Sequence, residues 1–151
     1  LLWPLARTSR DHARTPMQWT EGEHGGFTTG TPWLAVNPNH VEINAEAQLA
    51  DPASVFHHHR RLIALRREHP VLVYGEVVDL DPGHPRVFAS TRASADACAV
   101  VVINLGAEAI EYELPGGIAV GPALITSGGP APEPGSTTLT LHGWQALVCT
   151  V

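Results

Sequence analysis

The chain has 151 residues, of which 44% are hydrophobic, and a formal net charge of −6. This composition provides a sizeable core for one ordinary domain and excludes wholesale disorder. The acidic balance argues against nucleic acid or an anionic membrane as a partner, and no apolar run reaches the roughly 20 residues that a membrane span requires. We therefore expect no nucleic-acid partner and no membrane partner.

The first 50 residues show little periodicity and many turn-forming glycines and prolines. A long irregular segment in a compact protein is usually either a functional loop or a disordered one. Aromatic residues recur through this segment and favour an ordered, docked loop: Trp3, Trp19, Phe27 and Trp33. A short helix is predicted over residues 42–49.

A longer helix is predicted to start at Asp51-Pro52, with Asp51 as N-cap and proline in the first helical position. Apolar residues then recur at helical spacing from Val55 to Leu65, and His69-Pro70 ends the helix. An amphipathic helix must bury its apolar face on another element. The first half of the chain offers no sheet for that purpose.

The pattern from residue 71 onward is one of short strands separated by turn signals, which predicts an antiparallel β-sandwich. The predicted strands are 71–80, 86–92, 98–105, 109–114, 122–126, 137–141 and 144–151. Cys98 and Cys149 lie in apolar strands and are expected to be buried thiols. A disulfide between neighbouring strands remains an alternative.

The most informative stretch runs from Ser9 to Trp19 and reads SRDHARTPMQW. Guanidinium, imidazole and amide groups are costly to bury without partners, so a core does not require this mixture. A site that holds a hydroxyl-rich ligand does require donors, amides and a flat apolar face. A second string follows soon after and reads HGGFTTGTPWLAVNPNH.

These strings, with DPASVFHHHRRLIALRREHPVLVYGEV after them, resemble the C-terminal part of α-glucosidases of the α-amylase superfamily, glycoside hydrolase family 13. The oligo-1,6-glucosidase and isomaltase branch is the most similar, and the resemblance covers essentially the whole chain. It implies a mostly β fragment. Residues 1–71 would be the last loop and last helix of a (β/α)8 barrel, and residues 72–151 the antiparallel β-sandwich domain that follows the barrel.

The start of the chain also suggests a fragment, because it lacks Met and its apolar stretch Leu1–Leu5 is too short for a signal peptide. Targeting cannot be read from these residues, and a cytoplasmic location is expected for the parent protein.

The resemblance implies a retaining exo-α-glucosidase that removes terminal α-linked glucose from short oligosaccharides. Retaining hydrolysis uses two carboxyl groups roughly 5–5.5 Å apart, and in the family both come from barrel strands upstream of these residues. We therefore expect no catalytic residue in this chain, no activity of the chain alone, and an α-glucosidic oligosaccharide as partner only through the missing barrel. The close acidic pair Glu42 and Glu46 is interpreted as a solvated helical face.

No cofactor and no metal are expected. The run His57–His59 could suggest a metal site, but consecutive helical residues point about 100° apart and cannot converge on one ion.

Arg10 is the main candidate for substrate binding, because the family's arginine at this point of the motif reaches the non-reducing-end glucose. Its planar fork of donors can hold a sugar hydroxyl and a carboxylate together. The alternative is that Arg10 only ties the loop to a barrel acid. Arg14, the second candidate, would share the face of Arg10 if the turn is α-helical, and an ion pair that holds the loop is its alternative role.

The remaining polar and aromatic residues of the loop are assigned mainly to structure. Asp11 is expected to cap the turn or orient an arginine, and His12 to be uncommitted. Packing is expected for the others, with sugar contact as the alternative: Gln18, Trp19, Phe27, Trp33 and Asn37.

Two alternatives to the α-glucosidase interpretation remain. Sucrose isomerases and other transglycosylating relatives share much of this loop, and trehalose synthases share part of it. In a different class, the chain would be a non-catalytic sugar-binding or structural module, or a gene remnant, since fold alone does not decide function.

Overall fold

The computed structural model describes residues 10–151, with the side chains of Arg10 and His12 excepted. These residues form two compact units, one reaching to residue 61 and one from 62 to 151. The boundary predicted at residues 71 and 72 lies inside the second unit and stays a prediction. Trp3 lies outside the described residues.

The first unit consists mainly of loops and short helical turns. Its 3-10 turns span Arg10–Ala13, Glu23–Gly26 and Pro38–Val41, and helix α1 spans Ala45–Ala50. The predicted short helix at 42–49 therefore exists but begins later. The reason is the cap: the Asn44 side-chain oxygen accepts a hydrogen bond of 2.8 Å from the Ala47 amide, which fixes the first turn.

Helix α2 spans Val55–Glu68, so the predicted start at Asp51-Pro52 is wrong. The Asp51 carboxylate accepts from the Ala53 amide at 2.9 Å and closes a separate turn. Ser54 occupies the capping position, because its hydroxyl accepts from the His57 amide at 3.4 Å and donates to the Gln48 carbonyl at 2.7 Å. The predicted end of the helix before His69-Pro70 is confirmed.

The second unit begins with the last turns of α2 and the short helix α3, Val71–Tyr74, where the sequence predicts a strand. Pro70 holds a helical φ of −56° and starts this turn. Val71 and Leu72 are buried against Ala99, with Leu65 packed alongside. Burial of this pair on the sheet overrides the strand preference of the apolar run.

Seven antiparallel strands follow in the described chain, and each predicted strand overlaps one of them. They are β1 Glu76–Asp79, β2 Val87–Ala93, β3 Cys98–Asn104, β4 Ile110–Glu113, β5 Ala123–Ser127, β6 Thr138–Leu141 and β7 Ala146–Thr150. Five form one sheet in the order β1-β2-β3-β7-β5, and β4 and β6 form a second. The antiparallel architecture is confirmed.

The two sheets share one hydrophobic core. Alternate residues of the larger sheet, such as Val100 and Val102, point into it together with Leu139 and Leu141 of the smaller sheet. In the part of the chain that the structure describes, every buried hydrophobic side chain lies at or after Val71. The second unit therefore has its own core, whereas the described residues up to 61 have none.

Both cysteines carry free thiols. Cys149 is fully buried in the core and Cys98 is half-buried at the start of β3. The prediction of a buried thiol therefore holds fully for Cys149, and the disulfide alternative is not formed.

Two buried groups, Cys149 and Tyr112, are expected to make the free energy of unfolding depend on pH in the alkaline range. Burial raises the pKa of the Cys149 thiol above its ordinary value of 9.0. Burial first, and then the carboxylates of Asp81 and Asp79, raise the pKa of Tyr112 above 10.0. The Tyr112 hydroxyl is buried without a hydrogen-bond partner among the described residues.

We expect the free energy of unfolding to be insensitive to these two groups until about one pH unit below 9.0, and to fall as the pH rises further. The unfolded chain ionises each group at its ordinary pKa, while the folded chain keeps both neutral. Urea denaturation across this range measures the effect. Tyr112→Phe should flatten the part of the fall that begins near 10.0, whereas Tyr74→Phe, at an 86% exposed side chain, should not. Equal slopes in both variants would contradict the assignment.

Candidate substrate-binding loop

The loop of the first unit opens with the 3-10 turn Arg10–Ala13, in which the Arg14 amide donates to the Asp11 carbonyl at 3.0 Å. Arg10 begins this turn, and its side chain lies outside what the structure describes. The α-helical geometry that would set Arg14 on the face of Arg10 does not form, because the turn is of the 3-10 type and ends at Ala13. The Arg14 side chain is exposed to solvent.

Gln18 joins three segments of the loop. Its side-chain amide donates to the Asn39 side-chain oxygen at 3.1 Å and to the Ile43 carbonyl. Its own carbonyl accepts from the Ala45 amide at 2.9 Å, at the first residue of α1. Gln18 is thus a hydrogen-bonded hub that orders the loop without a hydrophobic core, whereas its predicted packing onto a barrel stays a prediction.

A left-handed turn brings the glycine-rich string back onto this hub. His24, Gly25 and Gly26 have φ values of 54°, 64° and 66°. The Gly25 carbonyl accepts from the amides of Trp19 at 2.8 Å and Thr20 at 3.0 Å. The two strings that stand out in the sequence therefore meet through these backbone hydrogen bonds as well as through the Gln18–Asn39 side-chain hydrogen bond.

Gly25→Ala should loosen this turn. A Cβ at Gly25 would sit 3.2 Å from Val36 Cγ1, and the left-handed φ adds about 1–2 kcal/mol of strain for any other residue. Hydrogen exchange at the Trp19 and Thr20 amides should become about 5- to 30-fold faster as a result. Gly30→Ala is the matched control, because its nearest atom is at 3.8 Å and its φ is not left-handed. Similar exchange in both variants would show that the turn tolerates a side chain.

The aromatic residues of the loop are exposed in this unit. Trp19 is 51% exposed, Phe27 50% and Trp33 79%. Packing against residues of the same unit therefore covers about half of Trp19 and Phe27 and little of Trp33. Flat exposed rings beside hydroxyl and amide groups have the chemistry that stacks on a sugar ring or docks on another protein surface.

All acidic side chains of the described part of this unit are exposed: Asp11, Glu21, Glu23, Glu42, Glu46 and Asp51. Glu42 follows one 3-10 turn and Glu46 is the second residue of α1, so the two do not share the single helix expected for them. The unit thus presents no buried carboxyl pair among its described residues.

The three consecutive histidines stay apart from any ligand cluster. His57 Nε2 contacts the Leu49 carbonyl at 3.0 Å, and its ring stacks edge-on against Phe56. Among the side chains that the structure describes, no group of three His, Cys, Asp or Glu residues could hold a metal ion.

Comparison with known proteins identifies the family. Residues 4–75 match the model of the α-amylase catalytic domain. Over 150 residues the chain is 43% identical to the oligo-1,6-glucosidase of Halalkalibacterium halodurans. This alignment covers 98% of this chain and 27% of the relative. It is 44% identical over 108 residues to the trehalose-6-phosphate hydrolase of Escherichia coli K12. That alignment covers 72% of this chain and 20% of the enzyme.

Solved structures agree with these relatives. The trehalulose synthase MutB from Pseudomonas mesoacidophila MX-45 matches 99% of this chain with a TM-score of 0.95 and 44% identity, over 27% of its own length. The sheets of the second unit match the C-terminal region of such enzymes. The chain belongs to the α-amylase family of glycoside hydrolases, glycoside hydrolase family 13. Its homologues include oligo-1,6-glucosidases, and it spans about a quarter of their length.

The sequence pattern identifies Arg10 and Arg14 as candidate substrate-binding residues, but it did not lead to the residues that order the loop. Asn44 is 5% exposed, caps α1 and donates to the His40 carbonyl at 2.8 Å. An Asn directly before the helical stretch Ala45–Ala50 is a recognisable N-cap signal that could have located it. No local pattern could have identified the link from Gln18 to Asn39, because these residues are far apart in the chain.

No helix among the described residues is long and apolar enough to cross a membrane.

Proposed function

We propose that this chain is the C-terminal portion of a retaining exo-α-glucosidase, which hydrolyses terminal α-linked glucose from short oligosaccharides. The observation that carries the proposal is the ordered polar loop. It lies within the residues matched by the α-amylase catalytic-domain model and leaves charged and aromatic side chains exposed.

The loop and α2 are proposed to be the last loop and last helix of a (β/α)8 barrel. Loops that follow barrel strands lie at the catalytic face of such a fold. Support comes from α2, which has an apolar stripe but no buried residue. A helix of this kind requires an apolar surface to cover it.

Arg10 is proposed to bind the terminal glucose, and Arg14 to act as a second substrate-binding or loop-holding residue. The exposed guanidinium of Arg14 has the donors for a sugar hydroxyl or for a carboxylate of the barrel. The nucleophile and the general acid are proposed to lie in the preceding part of the catalytic domain, since no acidic side chain described in this unit is buried. The chain alone is therefore proposed to be inactive and to use no cofactor.

A covalent chimera tests this function. The Halalkalibacterium halodurans oligo-1,6-glucosidase is cut where its match to this chain begins, and its preceding portion is joined to this chain. We expect the chimera to hydrolyse isomaltose, and the preceding portion alone to be inactive. A folded chimera that leaves isomaltose and maltose unchanged would overturn the proposal.

The second candidate function is sucrose isomerisation, supported by the structural match to a trehalulose synthase at a TM-score of 0.95. Product analysis separates the two functions. The same chain is joined to the preceding portion of that synthase and supplied with sucrose. Glucose and fructose as main products would favour a hydrolase contribution from this chain, and isomerised disaccharide would favour the alternative.

Binding by the isolated chain tests the non-catalytic module. We expect maltose and isomaltose to bind no tighter than about millimolar, because the exposed loop alone encloses little of a sugar. Saturation well below that concentration would support a sugar-binding module instead.

A further inference from the structure

A small pocket lies in the second unit, between strand β6 and the loop that precedes it. Its volume is about 220 Å³, which is below the roughly 300–1,000 Å³ of pockets that hold drug-sized ligands. None of its lining residues belongs to residues 4–75, which match the α-amylase catalytic domain. The pocket is therefore separate from the candidate substrate-binding loop.

The lining combines hydroxyl groups with an apolar part. Ser136, Thr138 and Thr140 each carry a hydroxyl, which can both donate and accept a hydrogen bond. Leu139 and Leu147 of the core contribute the apolar part and are 1% and 2% exposed. A ligand with hydroxyls on a carbon ring suits this combination, because its hydroxyls and its C–H groups both find partners.

The backbone of β6 adds further donors and acceptors. The Leu114 amide donates to the Thr137 carbonyl at 2.8 Å, and the register pairs Thr138 with Glu113 and Thr140 with Glu111. An antiparallel ladder alternates hydrogen-bonded and non-hydrogen-bonded pairs, so the backbone groups of Thr138 and Thr140 point away from β4. They are therefore available to a ligand at the other edge of β6, since β4 is the only described strand that pairs with β6.

A buried glutamine fixes two sides of the pocket. Gln145 is fully buried, and its side-chain amide donates to the Pro130 carbonyl at 2.8 Å and to the Thr126 hydroxyl at 3.1 Å. Its side-chain oxygen accepts from the His142 amide at 2.8 Å. Pro130 and His142 both line the pocket. A ligand therefore meets a preformed site and need not order the loop when it binds.

The charges of the lining exclude other kinds of ligand. The chain has no lysine, and no described arginine lines the pocket, whereas the exposed carboxylate of Glu133 does. An anion would lack a counter-charge there and would be repelled. A metal ion would also lack ligands, because the described side chains contain no group of three that could hold one.

We propose that this pocket binds a neutral, hydroxyl-rich ligand of the size of a monosaccharide. It is a non-catalytic sugar site on the β-sandwich, formed by β6, the loop before it and the turn after it. This inference does not rest on the proposed function, because its residues lie outside the match to the catalytic domain.

Titration of the 151-residue chain with D-glucose tests the pocket, with amide chemical shifts recorded by two-dimensional NMR. We expect saturable shifts at the amides of Thr138, Thr140 and His142, with a Kd of about 1–10 mM for so small a ligand. Thr140→Val should raise this Kd by about 3- to 10-fold, because it removes one hydroxyl and nearly preserves the side-chain shape. Thr137→Val is the matched control, since Thr137 is likewise exposed but does not line the pocket. It should leave the Kd unchanged.

Glycerol serves as the control ligand, because it has hydroxyls but no ring. Saturable glucose shifts at the pocket that weaken in Thr140→Val and not in Thr137→Val, with no saturable glycerol shifts, support the proposal. Absence of saturable glucose shifts at these amides overturns it, as does an equal effect of the two variants. Equally strong glycerol binding would show general polyol contact and overturn it, and glucose shifts confined to residues 10–61 would assign the sugar to the loop instead. Unchanged amide shifts elsewhere in the variants verify that they remain folded.

The proposed function fails separately. An inactive covalent chimera combined with glucose binding at this pocket would exclude the glucosidase and preserve the site. An active chimera whose chain shows no glucose binding at the pocket would do the reverse.

Discussion

Arg10→Ala in the covalent chimera is expected to lower kcat/KM for isomaltose by about 10- to 100-fold. A hydrogen bond to a charged group contributes about 1.5–3 kcal/mol, and the loss appears in kcat/KM if the contact persists in the transition state. Steady-state kinetics of the parent and variant chimeras measure it. The prediction depends on the SRDHARTPMQW string, in which Arg10 is the arginine that matches the family's substrate-binding position.

Two further variants test whether Arg10 acts through its planar group rather than its charge alone, and whether Arg14 contributes less than Arg10. Arg10→Lys keeps the charge but loses the planar fork, so it should recover only part of the lost kcat/KM. Arg14→Ala should cost less than Arg10→Ala, since Arg14 follows the 3-10 turn and lies exposed. An unchanged kcat/KM in Arg10→Ala would remove Arg10 from the site, and a larger loss in Arg14→Ala would exchange the two roles.

Leu141→Ala should destabilise the second unit by about 2–5 kcal/mol. Leu141 is fully buried, belongs to β6 and packs in the core that both sheets share. Truncation removes its apolar contacts and leaves a cavity that close-packed neighbours fill only partly. Urea denaturation followed by far-ultraviolet circular dichroism reports the change.

The control is Leu105→Ala, in the same unit, where the side chain is 55% exposed. It should change the free energy of unfolding by no more than about 0.5 kcal/mol. A loss below about 1 kcal/mol in Leu141→Ala would show that the two sheets do not depend on a common core.

The strands were predictable because alternation and turn residues act locally. In β6 the sequence Thr138–Leu141 alternates polar and apolar side chains, and the structure exposes the threonines and buries the leucines. The conformations at Val71–Tyr74 and at the start of α2 were not predictable in this way. The first depends on burial against Ala99, and the second on a hydrogen bond from Ser54 to Gln48.

The residue types indicate the chemistry of the candidate site, but they do not indicate how the loop is ordered in three dimensions. The polar and aromatic mixture of Ser9–Trp19 predicts a ligand-facing loop. The exposure of Trp33 could not be predicted, because a tryptophan in a loop usually packs on a neighbouring surface. Whether a surface exists to cover it depends on contacts that a linear pattern does not encode.

The placement of every described buried hydrophobic side chain at or after Val71 has an evolutionary consequence. Substitutions at the exposed side chains of the loop should cost little folding free energy, because the residues that hold the sheets together lie elsewhere. Such a loop can change its exposed side chains while the stabilising part of the chain remains under separate selection. Relatives named as an oligo-1,6-glucosidase, a trehalose-6-phosphate hydrolase and a trehalulose synthase are each 43–44% identical to this chain over the aligned residues.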